Sequence, residues 1–192
     1  MNSNSRYNDD CDACGKDRKD CCRSRNDDCD FCGKERKESC RPRKEACPTI
    51  IKCSCPGAVT IPTATIVGTT FTPSSLTLNT CRLENPCAKI EFASNIVATA
   101  FLGSISFQLF KQCANQISPV PVGPSFTYSR LLAITESDTF TFFVCDCDSC
   151  FNDCCTYTVV VTVNAVTAGV LSINNATIGA IATCNVCNGG CC

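Results

Sequence analysis

The stretch FFVCDCDSCFNDCCTYTVVVTV (Phe142–Val163) decides the fold of this chain. Its two ends are rich in Phe, Thr, Tyr and Val, which favour the pleated, half-buried surface of a β-sheet. Between these ends, cysteines are interleaved with aspartates: Cys145, Cys147, Cys150, Cys154 and Cys155 with Asp146, Asp148 and Asp153. The pattern predicts a β-hairpin-like element with a thiol-dense, acidic tip. Such a tip either binds a soft metal ion or is oxidised into cross-links.

The composition favours a disulfide scaffold and argues against catalysis. Cysteine occupies 22 of the 192 positions, and more than about 8–10% cysteine in a short secreted chain is typical of disulfide-rich proteins. Histidine is absent, which removes the most common general base, the imidazole metal ligand and every Ser-His or Cys-His dyad. We therefore expect no enzymatic activity, no catalytic residues and no cofactor.

The charge and hydropathy patterns restrict the partners and the location. The net charge is −1, from 17 basic and 18 acidic residues, so there is no general basic field for nucleic acid or an anionic membrane. No apolar run reaches the roughly 20 residues of a membrane span, and the polar start lacks the apolar core of a signal peptide. We expect neither nucleic acid nor membrane as a partner. The cysteine content suits an oxidising compartment, yet the sequence shows no signal that would direct the chain there. The thiols therefore either hold metal inside a cell or are oxidised after that cell lyses.

Residues 1–56 form a charged, cysteine-rich N-terminal arm. The arm holds 13 Lys or Arg and 11 Asp or Glu, and few large apolar residues that could pack a core. Within it, an 18-residue unit is repeated without a gap at residues 8–25 and 26–43. The arm ends in KEACPTIIKCSCP, in which a short apolar segment is flanked by Cys47, Cys53 and Cys55, and Pro48 and Pro56 break regular structure at either end.

The repeated unit leaves two chemical interpretations open. Its paired Cys-x-x-Cys motifs resemble zinc knuckles: Cys11 with Cys14, and Cys29 with Cys32. A zinc site needs four ligands, and one shared site would leave three cysteines over: Cys21, Cys22 and Cys40. The alternatives are disulfides, local or between chains, and a disordered arm of mixed thiols. Metal binding by the arm is therefore kept as the competing hypothesis.

Residues 57–183 predict an all-β body. Short segments rich in Thr, Val, Ile and Phe are separated by turn signals such as Gly68 and Pro73, which gives about eight to ten strands. The segment AKIEFASNIVATAFLGSISFQLFK is interpreted as two strands that meet near Gly103. Together these strands predict an antiparallel β-sandwich or jelly roll. Outward positions carry Thr, Ser and Asn more than charges, so the sheet edges are poorly protected and suited to pairing with neighbouring subunits.

Residues 184–192 form a cysteine-rich C-terminal tail, with Cys184, Cys187, Cys191 and Cys192. Adjacent cysteines seldom bond to each other, because the small ring forces an unfavourable peptide geometry. The three vicinal pairs in the chain are therefore points from which two bonds leave to different partners: Cys21–Cys22, Cys154–Cys155 and Cys191–Cys192.

Three segments of the body closely resemble a cysteine-rich family of uncharacterised domains from clostridial-type spore-forming bacteria. The segments are FQLFKQC (Phe107–Cys113), PVPVGPSFTYSR (Pro119–Arg130) and ESDTFTFFVCDCDSCFNDCCTYTVVVTV (Glu136–Val163). The overall plan also resembles that of endospore appendage subunits. That second resemblance implies a jelly-roll pilin with a cysteine-bearing N-terminal connector, stacked by strand augmentation and cross-linked by disulfides into a resistant fibre.

These observations lead to one hypothesis for the whole chain. The hypothesis is that the chain is a structural subunit of a spore-surface fibre or coat layer, made without a signal peptide and exposed after the mother cell lyses. Its partners are copies of itself and other spore-surface proteins. The candidate cross-links join Cys11, Cys14, Cys21 and Cys22 of the arm to Cys145, Cys147, Cys150, Cys154 and Cys155 of the loop, or to the tail.

Overall fold

The computed structural model describes residues 47–114, 116–131, 134–147, 154–165 and 168–184. Within these residues the chain forms eight β-strands and no helix. In chain order they are β1 (Ile50–Cys53), β2 (Gly57–Ile61), β3 (Thr70–Asn79), β4 (Pro86–Cys113), β5 (Val120–Arg130), β6 (Glu136–Asp146), β7 (Cys154–Val163) and β8 (Ala168–Cys184). The predictions for the repeats and their cysteines fall on residues 1–46, outside the described part.

The strands form two antiparallel sheets that share β4. In sheet A, β8 pairs with β1 and β2 on one side and with the first half of β4 on the other, and β6 follows. In sheet B, β7 lies between β3 and the second half of β4, and β5 follows. Because one strand continues from one sheet into the other, the sandwich is nearly a barrel. The all-β, antiparallel fold predicted from the sequence is confirmed.

Strand β4 is one bent strand of 28 residues, and not two strands that meet near Gly103. Its pairing with β8 shifts register between Thr99 and Leu102, where Ala100 has a positive φ of 50°. Gly169 of β8 approaches the carbonyl oxygen of Ala100 so closely that a Cβ atom there would overlap it. Only glycine permits this contact and the accompanying φ of 73°, so Gly169 allows β4 to change sheets.

The turn predicted at Pro73 is also wrong. Pro73 lies within β3, and the pairing of β3 with β7 shifts register between Phe71 and Ser74. A proline cannot donate to the ladder, and a bulge is one of the few places where a strand accepts it. The turn signal at Gly68 is confirmed, since Gly68 lies in a turn with a φ of 86°.

The core lies between the two sheets and follows from residue alternation. In β7, for example, every second side chain is buried: Cys155, Tyr157, Val159, Val161 and Val163. Aromatic rings join the sheets across this core. Phe107 stacks on Phe140 with centroids 4.3 Å apart, and Phe126 stacks on Phe142 at 4.4 Å. Such aromatic pairs contribute about 0.5–1.5 kcal/mol beyond the area that they bury.

The predicted hairpin of Phe142–Val163 is wrong in its pairing. Both flanks are strands, as the sequence indicates, but β6 belongs to sheet A and β7 to sheet B. In the described part of the chain β6 pairs only with β4, whereas β7 lies between β3 and β4. The connection therefore crosses from an edge strand of one sheet to a central strand of the other.

Helices long and apolar enough to span a membrane are not found among the described residues.

Candidate functional site

Most cysteines of the described body lie at one end of the sandwich, which we call the cysteine end. Because β4 bends at the far end, its first and last residues return to this end, with Cys87 near its start and Cys113 at its finish. The end of β6, the start of β7 and the end of β8 are registered against the same two parts of β4. The topology thus gathers cysteines that are far apart in sequence.

Three disulfides between described residues close the cysteine end: Cys47–Cys184, Cys87–Cys147 and Cys113–Cys155. Their sequence separations are 137, 60 and 42 residues, respectively. On the chain-entropy relation, loops of these lengths stabilise the folded state by about 4–5 kcal/mol each. Two of the bonds attach the segment after β6 and the start of β7 to opposite ends of β4, so the cysteine–aspartate stretch is covalently fixed at both flanks.

The other cysteines predicted as cross-linking candidates are distributed differently. Cys154 is also disulfide-bonded. Cys53 and Cys145 are exposed free thiols, and Cys55 is exposed. The remaining candidates lie outside the described residues: Cys11, Cys14, Cys21, Cys22, Cys29, Cys32, Cys40, Cys150, Cys187, Cys191 and Cys192. Their role as cross-links stays a prediction.

Sequence reasoning missed Cys87 and Cys113, because each is isolated from the cysteine-dense segments. A usable signal exists for Cys113. It continues the core-facing alternation of Ile105, Phe107 and Leu109 along β4, and it is 3% exposed. A cysteine in register with core positions at the end of a strand is well placed to bond to a neighbouring strand. Its partner Cys155 is its direct cross-strand neighbour in β7.

A buried ion pair lies directly inside the disulfides. Lys111 is two residues before Cys113 on β4, and its Nζ donates to Oδ2 of Asp146 at 2.8 Å, with both side chains 6% exposed. The hydroxyl of Tyr157 donates to the same oxygen at 2.6 Å. Lys111 and Tyr157 are paired neighbours in sheet B, whereas Asp146 ends β6 in sheet A. The cluster therefore connects the two sheets, and it satisfies a carboxylate that would be costly to bury alone.

A second polar cluster joins the sheets at the opposite end. Arg130, at the end of β5, forms ion pairs with Asp138 and with Glu136 of β6, the latter at 2.7 Å. Tyr128 donates to Asp138 at 2.8 Å and accepts from Nε of Arg130 at 2.9 Å. Hydrogen bonds from Tyr128 and Arg130 hold the pKa of Asp138 below its usual value, while burial raises the pKa of Tyr128. We call this group the Arg130 cluster.

Metal-ligating chemistry finds little support in the described body. Its residues contain no group of three or more His, Cys, Asp or Glu side chains arranged to hold a metal ion. Asp146 was predicted to lie in the acidic tip. Its side chain is instead buried, and its Oδ2 accepts hydrogen bonds from Lys111 and Tyr157. The proposed zinc ligands of the arm lie outside the described residues, so that hypothesis stays a prediction.

The fold and these bonds define an all-β sandwich braced by disulfides. The chain belongs to a family described as a domain of unknown function, DUF4489, whose model matches residues 47–183. No curated protein matches the sequence.

Several solved structures share a limited likeness with this chain. One is the structure of infectious bursal disease virus, Gx strain, with 8% identity and a TM-score of 0.37, covering 76% of this chain and 38% of that one. The VP2 subviral particle of the same virus has 8% identity and a TM-score of 0.38, covering 71% and 36%. A carbohydrate-binding module of the β-sandwich superfamily has 10% identity and a TM-score of 0.31, covering 67% and 55%. The chain thus spans little more than a third of the two viral proteins.

Proposed function

We propose that this protein is a self-assembling structural subunit of a spore-surface fibre or coat layer, joined by strand augmentation and locked by disulfides between subunits. The observation that carries the proposal is the division of the cysteines. Three disulfides join described residues within the body, while Cys53 and Cys145 remain exposed thiols on its surface. Thiols that a folded body exposes but does not use are available to a neighbouring chain.

The edge strand β6 supports strand augmentation. In the described structure only β4 pairs with it, so its other edge presents unpaired backbone groups. Its outward side chains are uncharged: Ser137, Thr139, Thr141, Phe143 and Cys145. Natural sheets usually protect such an edge with Lys, Glu or Pro, and their absence along this face of β6 favours the addition of a strand from another subunit.

The experiment is electrophoresis and electron microscopy of the full-length protein, isolated from sporulating cells without reductant. We expect an SDS-resistant ladder or fibres that collapse to monomer when reductant is added. A monomer on non-reducing gels would overturn the proposal. Zinc measured on protein purified anaerobically distinguishes the competing metal hypothesis, for which about one stoichiometric zinc per chain is expected.

A further inference from the structure

The ion pair of Lys111 and Asp146 differs from every other charged group in the described body. Among the described residues, these two are the only charged side chains that are buried. They contact each other, with Nζ and Oδ2 2.8 Å apart. A buried ion pair is weak evidence for stability, because the cost of desolvating both ions offsets most of their attraction. The chemical reactivity of the two groups is therefore the more informative property.

Lys111 and Asp146 supply the two reactants of amide formation, a primary amine and a carboxyl group. A carboxyl C–O bond is about 1.2 Å long, so Nζ lies at most about 4 Å from Cγ of Asp146. Reacting atoms in a near-attack arrangement lie about 3–3.5 Å apart, which a small movement of the lysine side chain achieves. Well-oriented groups within one molecule reach effective concentrations of about 10⁵–10⁸ M. Such concentrations favour the amide in spite of the surrounding water.

The strands that carry the two groups are fixed relative to each other. Lys111 lies two residues before Cys113, which is bonded to the start of β7. Asp146 directly precedes Cys147, which is bonded to the start of β4. The two disulfides restrict the separation of these strands. The entropic cost of bringing amine and carboxyl together is therefore met when the body folds, before any reaction.

Tyr157 supplies the hydrogen-bond donor that assists such a reaction. It is the direct cross-strand neighbour of Lys111 in sheet B, and its hydroxyl donates to Oδ2 of Asp146 at 2.6 Å. When an amine attacks a carboxyl carbon, negative charge develops on a carboxyl oxygen. A donor that already points at that oxygen, in a site that excludes water, stabilises the developing charge. Amine, carboxyl and donor are thus all in contact in the folded chain.

We infer that Lys111 and Asp146 condense slowly after folding into an amide that joins sheet B to sheet A. One proton passes from the ammonium to the carboxylate and gives a neutral amine and a neutral acid, a step that burial favours because charges are costly there. The lone pair of Nζ then attacks Cγ and forms the C–N bond. The C–O bond to one carboxyl oxygen breaks, and this oxygen leaves as water with the acid proton and one proton from Nζ.

The ion pair is the state of the newly folded chain, and the amide is the state that the chain reaches on ageing. The reaction occurs once in each chain and consumes no other reagent. Because the amide lies within one chain, the inference does not depend on the proposed function. Reductant does not cleave an amide, so the body keeps a covalent link between its sheets when its disulfides are reduced.

The test follows the mass of the full-length chain over time. Freshly purified protein is incubated below its melting temperature, and samples are reduced and alkylated before mass spectrometry, so that disulfides do not affect the mass. We expect each reacted chain to lose the mass of one water molecule, in a fraction that grows with time. A mass that stays unchanged through prolonged incubation of the folded chain would overturn the inference.

Tryptic peptides show where the water is lost. Trypsin does not cleave after an acylated lysine, and the chain has no Lys or Arg after Arg130. The amide therefore links the peptide of residues 90–130, uncut at Lys111, to the C-terminal peptide of residues 131–192, which contains Asp146. Loss of water at any other position leaves these two peptides separate and counts against the inference.

An exposed ion pair provides the control within the same chain. Nζ of Lys89 and Oε2 of Glu91 are 3.3 Å apart, and both side chains are about half exposed. Water reaches this pair and competes with the reaction. We expect trypsin to cleave completely after Lys89 in samples where Lys111 is blocked. Equal blocking of both lysines would show that incubation alone drives condensation, against a specific site.

Two variants test the assigned roles. Lys111→Arg keeps a cation beside Asp146 but has no nucleophilic amine, since its guanidinium stays protonated, and we expect no loss of water. Tyr157→Phe should slow the reaction by about 100-fold, as removal of one such donor does elsewhere. An undiminished rate in either variant would contradict its assigned role. The linked peptides of the natural chain decide the inference even where a variant fails to fold.

Discussion

Lys111 and Asp146 form an ion pair that bridges the two sheets, with Nζ and Oδ2 2.8 Å apart and both side chains 6% exposed. Lys111 lies two residues before the end of β4 and Asp146 ends β6, so each is close to a disulfide-bonded cysteine, Cys113 and Cys147, respectively. Burying two charges costs several kcal/mol per ion, which their attraction offsets only when the remaining hydrogen bonds are also made. The hydroxyl of Tyr157 makes one of these bonds.

Replacing one member of this pair should cost far more than replacing both. We expect Lys111→Met to lower the free energy of unfolding by about 3–5 kcal/mol, because Asp146 is left buried without its cation. Adding Asp146→Leu should recover most of that loss, since no charge then remains buried. Urea unfolding followed by circular dichroism measures both changes. Lys89→Met is the control, and a loss equal to that of Lys111→Met would contradict the explanation.

Acid should weaken the Arg130 cluster. Asp138 has a lowered pKa in the folded state, so its contribution is fully present above the unfolded value of about 3.9 and is lost as the pH falls through the folded value. The difference in melting temperature between the natural chain and Asp138→Asn should therefore be largest near neutral pH and shrink as the pH falls below that unfolded value. Glu84→Gln serves as an exposed control. A difference that does not change with pH would contradict this assignment.

Two glycines with positive φ provide a matched test of the bend in β4. Gly169→Ala places a Cβ against the carbonyl oxygen of Ala100, whereas nothing lies within 4 Å of a Cβ at Gly68. Both substitutions carry the backbone cost of a left-handed residue, about 1–2 kcal/mol, and only Gly169→Ala adds the overlap. We expect Gly169→Ala to lower the free energy of unfolding by at least about 3 kcal/mol. Equal losses of unfolding free energy in the two variants would show that the close contact with Ala100 does not determine which residue position 169 accepts.

The disulfide between Cys113 and Cys155 should stabilise the body measurably. Replacing both cysteines with alanine opens a loop of 42 residues, and we expect a loss of about 4 kcal/mol. The control is Cys81→Ala, because Cys81 is a free thiol in the described body and should contribute little. Differential scanning calorimetry of the oxidised variants gives the comparison. Reductant should lower the melting temperature of the natural chain by more than that of the double variant.

The sequence predicted the sheet content well because alternation is a local property. Thr, Val and Phe at every second position identify both flanks of the cysteine–aspartate stretch as strands. Alternation does not indicate which strands pair, so β6 and β7 were placed in one hairpin although they belong to different sheets. The bend of β4 was misplaced for a similar reason, since it depends on the contact between Gly169 and Ala100, which are 69 residues apart in the chain.

The site was predictable only where cysteines cluster. Cys147 and Cys155 lie in a dense segment that attracts attention, but their partners Cys87 and Cys113 are single cysteines brought near by the fold. Lys111 was missed because a lysine in a strand is usually solvated. Its register with Leu109 and Cys113 is the signal that it points into the core. Neither the composition nor the spacing of the cysteines indicated which thiols stay exposed.

The bond between Cys47 and Cys184 has a mechanical consequence. It joins the point where the chain enters the body to the point where it leaves, 137 residues later. Tension applied between the arm and the tail therefore passes through a covalent bond and bypasses the hydrogen-bonded sheets. While this bond is intact, tension cannot pull out the 137 residues between the two cysteines, which would span about 450 Å when fully extended. Extension of this segment requires that the bond is first reduced. A subunit built this way transmits tension without becoming longer.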